Sequence, residues 1–378
     1  MKNLGLYIHI PFCESKCYYC NFISFCSKES VKFDYVKSLI NEIDLQKENY
    51  KNYMVDTIFI GGGTPSCLPS GEIFKILSKV KQCFNVDKNC EITVEANPNS
   101  ITTNFANEIS KAGVNRVSIG LQSANDVLLK EINRIHTKND FLNALDIIKS
   151  ANLKNINVDL LLGLPNQKLE DVKEALDLLI QNNINHISCY GLILEEGTKL
   201  YELVNKKLLM LPTEEQSNKM YQFVVDYLKK YGIFRYEVSN FAKPKFECKH
   251  NLKYWNRDEY LGLGLNSFSF VNGKRFNNES NLQEYINYYK TASTIKIENV
   301  EQVTTQDEIE ETIMLSLRTE KGINLIDFKN KFNYDLTIKK SKEIANLIKL
   351  NLIKIEDNFL KCSKDGFYVL NQVILELI

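Results

Sequence analysis

Three cysteines near the start of the chain have the spacing of a metal centre. Cys13, Cys17 and Cys20 stand in YIHIPFCESKCYYCNF, directly after an apolar run that predicts a strand. Thiolates at this CxxxCxxC spacing can converge on one centre, and an iron–sulfur cluster normally takes four of them. Three ligands would leave one iron open to a small molecule. A zinc site completed by Cys26 or His9 is the alternative that the spacing leaves open.

Further polar and glycine-rich groups follow five more strand-like runs. The runs are VDTIFI, EITVEA, VNRVSIG, INVDLLLG and HISCYGLIL, which are near-continuous in apolar residues. The groups at their ends are GGGTP from Gly61, Glu95 with Pro98, Gln122, Asp159 with GLP, and Tyr190. Barrel enzymes build their sites from the loops at the C-terminal ends of their strands. The shared position of these groups therefore predicts a functional face.

Amphipathic stretches alternate with the strand-like runs and must position these groups. The stretches with helical apolar spacing include FDYVKSLINEIDL, GEIFKILSKVKQCF, DFLNALDIIKS and LEDVKEALDLLI. Strands and helices that alternate in this way indicate a parallel sheet. We predict an α/β fold whose core, residues 1–240, is a partial (β/α)6 TIM-type barrel. A doubly wound sheet is the alternative.

Two smaller units are predicted after the barrel. Residues 241–306 are an aromatic and glycine-rich connection that contains ECKHNLKYW. Residues 307–378 combine helical stretches with a hairpin pattern over LIKIEDN and FLKCSKDG, which predicts a mainly helical, winged-helix-like domain. Winged helices often bind DNA, but the mixed charges here argue against a nucleic-acid partner.

The composition restricts the setting in which the protein works. The 378 residues include 47 basic and 47 acidic ones, so bulk charge points to no nucleic-acid or membrane-surface partner. No run reaches the roughly 20 apolar residues of a membrane span, and the N-terminus lacks a secretory signal pattern. We therefore expect a cytoplasmic protein. Ten cysteines in a reducing compartment favour metal binding or burial over a disulfide framework.

Taken together, the motifs resemble those of the radical S-adenosylmethionine family. The similar segments are the cysteine loop, GGGTPS, EANP, NRVSIGLQS, RIH at Arg134, NVDLLLGLP, and YEVSNFAKP followed by HNLKYW. They are similar to the HemN/HemW subgroup, which contains oxygen-independent coproporphyrinogen III oxidases and haem chaperones. The resemblance covers nearly the whole chain, including the C-terminal unit.

The resemblance implies two cofactors. It implies a 4Fe-4S cluster on Cys13, Cys17 and Cys20, an open iron that binds S-adenosylmethionine, and an electron donor that reduces the cluster. Glycines without a Cβ would let backbone N–H groups approach the methionine end of S-adenosylmethionine. The residues implied to contact this molecule are Tyr7, Tyr19, Gly62, Gly63, Thr64, Glu95, Gln122, Arg134 and Asp159. For each of these residues, the alternative to contact with S-adenosylmethionine is a purely structural role. No residue is assigned as catalytic.

Two departures separate the chain from the oxidases of the subgroup. The resemblance predicts for the oxidases a fourth cysteine two residues after the third, and an N-terminal extension that shapes the substrate site. This chain has Phe22 at that position, and only a few residues precede its first strand. We therefore expect a haem chaperone without coproporphyrinogen oxidase activity. The alternative is the oxidase, which converts coproporphyrinogen III to protoporphyrinogen IX by radical oxidative decarboxylation.

The HNxxYW motif supplies candidates for a haem site. An imidazole suits the axial position of haem iron, and flat aromatic rings suit a porphyrin face. In the chaperones a motif of this form is implicated in haem binding, so we predict a site at His250, Tyr254 and Trp255. A histidine packed in the protein interior is the alternative. The haem would pass to an acceptor protein, for which a membrane-associated respiratory component is one candidate.

Overall fold

Six parallel strands form the centre of a twelve-stranded sheet in the computed structural model, which describes residues 1–378. The six are Lys2–Ile10 (β1), Tyr53–Gly62 (β2), Asn85–Ala96 (β3), Arg116–Gln122 (β4), Asn155–Leu162 (β5) and His186–Gly191 (β6). They pair side by side in chain order, with helices in the connections. All six predicted strands are confirmed, and their order is that of a partial (β/α)6 TIM-type barrel.

Helices cover the outer face of these strands. They are Glu29–Gln46 (α1), Glu72–Cys83 (α2), Thr103–Ala112 (α3), Asp126–Glu131 (α4), Lys138–Ser150 (α5), Leu169–Gln181 (α6), Lys199–Asn205 (α7) and Glu214–Lys229 (α8). The four predicted amphipathic stretches form α1, α2, α5 and α6. In α2, Ile73, Ile76, Leu77 and Val80 are buried at the i, i+3, i+4, i+7 spacing that puts apolar residues on one face.

Alternate residues of each strand face opposite sides of the sheet. In β1, Leu4, Leu6, Ile8 and Ile10 are completely buried in the main hydrophobic core. The intervening residues of β1, such as His9, face the barrel interior. Polar residues of the other five strands face the same interior. They are Thr57, Glu91, Glu95, Arg116, Ser118, Asn157, Asp159, His186 and Ser188. The barrel interior is therefore polar, while the apolar core lies between sheet and helices.

Short strands extend the sheet on both sides of the barrel. The elements are Phe234–Arg235 (β7), Asn240–Ala242 (β8), Lys249–Asn256 (α9), Tyr260–Leu263 (β9), Phe268–Val271 (β10), Lys274–Asn277 (β11), Leu282–Tyr289 (α10) and Glu298–Gln302 (β12). β9 pairs parallel with β1, and β10 to β12 continue antiparallel. The predicted connection thus contains a seventh parallel strand, which apolar periodicity does not reveal in a four-residue segment.

The C-terminal region has its own core of 16 buried residues. Its elements are Thr305–Ser316 (α11), Ile323–Asn324 (β13), Leu325–Phe332 (α12), Leu336–Lys339 (α13), Ser341–Lys349 (α14), Ile353–Glu356 (β14), Phe359–Cys362 (β15), Lys364–Tyr368 (α15) and Leu370–Leu377 (α16). β14 and β15 form the predicted hairpin, and β13 pairs with β15. The predicted boundaries after residues 240 and 306 stay predictions. None of the helices in the chain combines the length and apolar character needed to cross a bilayer.

Candidate functional site

A cavity of about 560 Å³ opens at the C-terminal ends of the barrel strands; we call it the cluster cavity. Twelve residues are predicted to bind the cluster or S-adenosylmethionine, and all except Tyr7 line it. They are Cys13, Cys17, Tyr19, Cys20, Gly62, Gly63, Thr64, Glu95, Gln122, Arg134 and Asp159. The structure therefore brings together groups from five strand ends that are up to 146 residues apart, although their individual roles stay predictions.

Backbone hydrogen bonds hold the cysteine loop against the barrel. The amide of Cys13 donates to the carbonyl of Phe25, and the amide of Phe25 donates to that of Pro11. The amide of Tyr18 donates to the carbonyl of Ile132 on another connection of the barrel. These bonds fold the loop over the cavity, where its three predicted ligand thiols are half-buried and free.

Burial also affects the acidity of the predicted ligands. Loss of water raises the pKa of the Cys13 and Cys20 thiols, and the neighbouring Cys17 raises it further. The Thr64 hydroxyl, which lies 3.5 Å from Cys13 Sγ, acts in the opposite direction. The Cys13 and Cys20 thiols, whose ionisation is disfavoured in this way, are donors that a cationic metal centre would stabilise as thiolates.

The arrangement does not match a single metal ion. No three His, Cys, Asp or Glu side chains lie close enough together to bind one ion. Cys26 is exposed and donates to the carbonyl of Glu14, while His9 Nδ1 lies 3.0 Å from the Tyr7 hydroxyl. A four-iron cluster places each thiolate on a different iron, so its ligands surround a space instead of meeting at a point. No group of side chains that would form the zinc alternative is present, and the cluster on these cysteines stays a prediction.

The GGGTP loop is built by close backbone packing. A Cβ on Gly61 would lie 2.6 Å from Glu95 Oε2, and one on Gly63 would lie 2.6 Å from the carbonyl oxygen of Phe12. Gly62 adopts φ +108°, which strains any other residue, and a Cβ there would meet His9. Glycine is therefore required at Gly62 by its backbone conformation and at Gly63 by backbone contacts, whereas a side chain at Gly61 would displace the Glu95 carboxylate.

This packing changes the expectation for the loop's amides. The Gly62 amide donates to Glu95 Oε2 at 3.1 Å. The Gly63 and Thr64 amides donate to the carbonyls of Ile10 and Phe12, at 2.8 and 2.7 Å. We expected these N–H groups to approach a ligand, but they are already used within the protein. The loop thus supports Glu95, which presents a carboxylate to the cavity.

Two carboxylates face the cluster cavity from neighbouring parts of the barrel. Burial, with a smaller effect from the charge of Asp159, raises the pKa of Glu95 to about 7. Burial also raises the pKa of Asp159, although Asn157 Nδ2 and Ser118 Oγ donate to it at 2.7 and 3.1 Å. An ammonium or hydroxyl ligand would compensate this loss of hydration.

Arg134 brings a cation to the same space. Its Nη1 donates to Asn97 Oδ1 at 3.0 Å and its Nη2 donates to the carbonyl of Gly120 at 3.2 Å. Its Nε is buried without a partner, and an acceptor group of a ligand would satisfy it. Gln122 has φ +66° at the end of β4, a conformation that non-glycine residues adopt at a cost and that is frequent at functional sites.

Several residues at the site are absent from the sequence prediction. Asn97 orients Arg134, and Ser118 and Asn157 hold Asp159. His9, which the sequence analysis named only as an alternative zinc ligand, packs beneath Gly62 and contacts Tyr7, which lies behind the cavity wall and stacks on Phe59. The alternation of polar residues in NVD and NRVSIG was a signal for this second layer of contacts.

The HNxxYW motif is divided between two places. His250 is 1% exposed, with Nδ1 2.8 Å from Thr57 Oγ1 and Nε2 2.9 Å from the Tyr254 hydroxyl. Burial, helped by Lys253, lowers the pKa of His250 to about 3, so the ring is neutral. Iron ligation by His250 would require one of these bonds to break. Trp255 lies outside the barrel interior, in a separate groove. The haem role of the motif stays a prediction.

Family comparisons agree with this architecture. A model described as "Radical SAM superfamily" matches residues 7–179, and one described as "HemN C-terminal domain" matches residues 303–369. The chain is 34% identical to a protein named heme chaperone HemW from Lactococcus lactis, over 98% of this chain and 96% of that one. The Bacillus subtilis protein of the same name is 32% identical over 97% of each chain.

One solved structure has the same overall fold. The coproporphyrinogen III oxidase HemN from Escherichia coli, described as a radical SAM enzyme, superimposes with a TM-score of 0.87. The match covers 100% of this chain and 90% of that one, at 20% identity. At this identity the likeness is one of fold, including the C-terminal region.

Proposed function

This chain belongs to the radical SAM superfamily, in the family of proteins named HemW, and from that premise we propose that it is a haem chaperone. In this proposal it binds haem, carries a 4Fe-4S cluster with an exchangeable S-adenosylmethionine, and transfers the haem to an acceptor protein. One observation supports the cofactor sites above all: three thiols, two carboxylates and an arginine with an unpartnered Nε face one cavity.

Cys13, Cys17 and Cys20 would hold the cluster. When bound, it would supply the electron that cleaves a sulfonium bond of S-adenosylmethionine. The protein's part is to hold three thiolates around one space and to keep the fourth coordination position open.

Glu95, Asp159 and Arg134 would orient S-adenosylmethionine. The two carboxylates accept hydrogen bonds, so they suit its ammonium and ribose hydroxyls, whereas the guanidinium suits its carboxylate. The Gly62 amide donates to Glu95, and the Thr64 hydroxyl accepts from Asn97, which in turn accepts from Arg134. Tyr19 and Gln122 line the remaining wall. The charges on the wall thus complement the charges of the proposed ligand.

Phe22 supports the chaperone over the oxidase. It is 68% exposed and lines the mouth of the cluster cavity, at the position where the oxidases were expected to carry a cysteine. The match to the HemW proteins of Lactococcus lactis and Bacillus subtilis also covers 96% and 97% of their own lengths, respectively. Oxidative decarboxylation of coproporphyrinogen III is the second candidate, and the fold shared with HemN is compatible with it.

The proposal places the protein in the cytoplasm with two further partners. An electron donor would reduce the cluster, and a haem acceptor would take the cargo. A membrane-associated respiratory component is our candidate for the acceptor, as in the sequence analysis. We propose no nucleic-acid partner, because basic and acidic residues balance over the chain.

Anaerobic reconstitution with iron and sulfide tests the proposal. One preparation is divided between a haem titration and an assay for coproporphyrinogen III conversion. We expect stoichiometric haem uptake, transfer to an acceptor apoprotein, and no protoporphyrinogen IX. Decarboxylation by the reconstituted protein would replace the chaperone with the oxidase. Failure to take up haem in both the reconstituted and the cluster-free protein would remove the chaperone function.

A further inference from the structure

A second cavity of about 510 Å³ lies between the barrel and the C-terminal region; we call it the interlobe groove. Its barrel side is formed by β7 and α9, and its other side by α11, α12 and β15. The volume is typical of small-molecule sites, which often occur where two lobes meet. Nothing in the proposed cluster chemistry uses this space.

Aromatic side chains form the walls of the groove. The chain's single tryptophan, Trp255, is half-buried there, and Phe234 is 46% exposed. Phe332 and Phe359 line the opposite side, with the buried Phe328 behind them. Aromatic side chains that line both sides of a cavity suit a flat aromatic ligand, which stacks on such rings at an offset.

Two lysines that line the groove have their ammonium groups over these rings. Lys321 Nζ lies 5.8 Å from the centroid of Phe359, and Lys331 Nζ lies 4.9 Å from that of Phe332. Both lysines are exposed and neither forms an ion pair, although many lysines of this chain do. They are therefore available to carboxylates at the edge of a ligand.

The carboxylates at the groove leave these lysines free. Glu320 accepts from Arg235 Nε at 2.6 Å, and Asp327 accepts from Asn324 Nδ2 at 2.6 Å. Glu247 is the third acidic side chain that lines the groove. The charge at the rim beside the aromatic walls is thus positive at two defined points.

Helix α9 explains why the HNxxYW motif divides. At 100° per residue, His250 and Tyr254 share one face, which points into the barrel interior. Leu252, Trp255 and Asn256 have the i, i+3, i+4 spacing of another face, and all three line the groove. The aromatic part of the motif thus belongs to a different site from its histidine.

We propose that the interlobe groove binds the haem cargo through its porphyrin ring. The ring stacks on Trp255 and the phenylalanines, and its two propionates reach Lys321 and Lys331. No His, Cys or Met lines the groove, so the protein recognises the ring and not the iron. In the proposed function the cluster cavity holds the cluster and S-adenosylmethionine, and the groove offers the macrocycle a second space of similar volume. This inference rests on the proposed function and gives it a location.

Titrations of the full chain with haem and with iron-free protoporphyrin IX test the location. The first variant, Lys321→Glu/Lys331→Glu, changes only exposed side chains, so it is expected to fold. Its control is Lys339→Glu/Lys342→Glu, which makes the same charge change on exposed residues of this region outside the groove. A second variant, Ser316→Trp, fills the groove with bulk. Circular dichroism and thermal melting establish that each variant is folded.

We expect the wild type to bind haem and protoporphyrin IX with similar affinities, and the control variant to match the wild type for each ligand. The affinity of both groove variants for both ligands should fall roughly tenfold or more. In Lys321→Glu/Lys331→Glu, attraction of the two propionates becomes repulsion. In Ser316→Trp, the indole fills the space that the ring would occupy. His250→Gln should retain both ligands.

Two results would overturn the inference while the chaperone function stands. One is haem binding that the groove variants leave unchanged. The other is haem binding without protoporphyrin IX binding, especially if His250→Gln abolishes it, because that requires ligation of the iron. Absence of haem binding in the wild type would instead contradict the proposed function itself.

Discussion

The cluster cavity and the interlobe groove are of similar size, at about 560 and 510 Å³, but are built from different materials. The cavity collects ionisable groups on the ends of strands that one hydrogen-bonded sheet holds in register. The groove lies between two separate hydrophobic cores and is walled by aromatic rings. Chemistry that needs fixed distances suits the first, whereas uptake and release of cargo suits the second.

A line of hydrogen bonds joins the two regions through the barrel interior. Asp159, at the cavity, accepts from Asn157 Nδ2, and Asn157 Oδ1 lies 2.5 Å from His186 Nδ1. His186 Nε2 lies 2.7 Å from the hydroxyl of Tyr236, which lines the groove. The polar interior is thus a physical route between the proposed cofactor site and the proposed cargo site.

Removal of one cluster ligand should abolish the cluster and leave haem binding in the groove unchanged. In Cys17→Ala we expect no reconstituted cluster, because two thiolates of the loop cannot hold it. Iron and sulfide content and the brown absorbance measure this loss. Haem uptake by the same variant should persist, since the groove is intact. Cys26→Ala is the control and should assemble a cluster. A normal cluster in Cys17→Ala would contradict the ligand assignment.

The glycine loop tests how rigid the cavity is. In Gly63→Ala the new Cβ meets the backbone oxygens of Phe12 and Ile10 at 2.6 and 2.8 Å, so the free energy of unfolding should fall by roughly 3 kcal/mol. Gly191→Ala, at the same cavity, adds a Cβ to open space and should change it by less than about 0.5 kcal/mol. Chemical denaturation measures both. Equal stabilities would mean that the loop adapts and the cavity is not rigid.

Contacts that hold the C-terminal region against the barrel should also maintain the shape of the interlobe groove. Arg235 is paired with Glu320 and lies 3.5 Å from the centroid of Phe367. Arg235→Ala should lower the free energy of unfolding by about 2 kcal/mol and weaken haem binding, because stacking and the ion pair are lost together. Lys364→Ala breaks an exposed pair with Asp226 between the same lobes and should cost less than about 1 kcal/mol. The order of the two effects would be reversed if charge alone attached the lobes.

The pH dependence of S-adenosylmethionine binding should distinguish the cavity from the groove. Burial raises the pKa of Glu95 to about 7, so the carboxylate that would accept from the ammonium is lost as pH falls below 7. Affinity should then drop by up to about tenfold per pH unit between pH 7 and pH 5. Isothermal titration at several pH values measures this slope, and Glu95→Gln should abolish it.

Glu42 provides the matched control for the pH experiment. Burial also raises its pKa to about 7, but it is bonded to Tyr285 and Asn278, away from both cavities. Glu42→Gln should leave the slope of the affinity unchanged. For both carboxyls the folded pKa lies above the unfolded value, so the ligand-free protein should lose stability as pH rises from about 4.5 to 7. A slope that disappears in Glu42→Gln would mean that folding, and not Glu95, controls binding.

Much of the barrel follows from periodicity in the sequence. The six strands and the four quoted helices are predicted because long segments such as FDYVKSLINEIDL carry a strong pattern. β9 and the two-residue β7 are missed because segments this short have no measurable period, and pairing with a neighbour decides their conformation. The hairpin of β14 and β15 is predicted because turn residues stand between two apolar runs.

At the candidate site, the type of chemistry is readable but its supports are not. Three thiols at CxxxCxxC, a glycine loop and polar strand ends predict one functional face, since parallel strands end at the same edge. Asn97 is missed because only its contact with Arg134 distinguishes it from any loop asparagine. The loop amides were expected to be free, and only the neighbouring strand shows that Ile10 and Phe12 accept from them.

By itself, then, the sequence determined the order of strands and helices, the thiol set and the absence of a cysteine at Phe22. These are properties of local spacing and of residue type. The tertiary structure decided that His250 and Trp255 face different sites and that two lobes enclose the interlobe groove. The reason is physical: the face that a helix presents depends on what packs against it, and a groove between lobes exists only once both hydrophobic cores have formed.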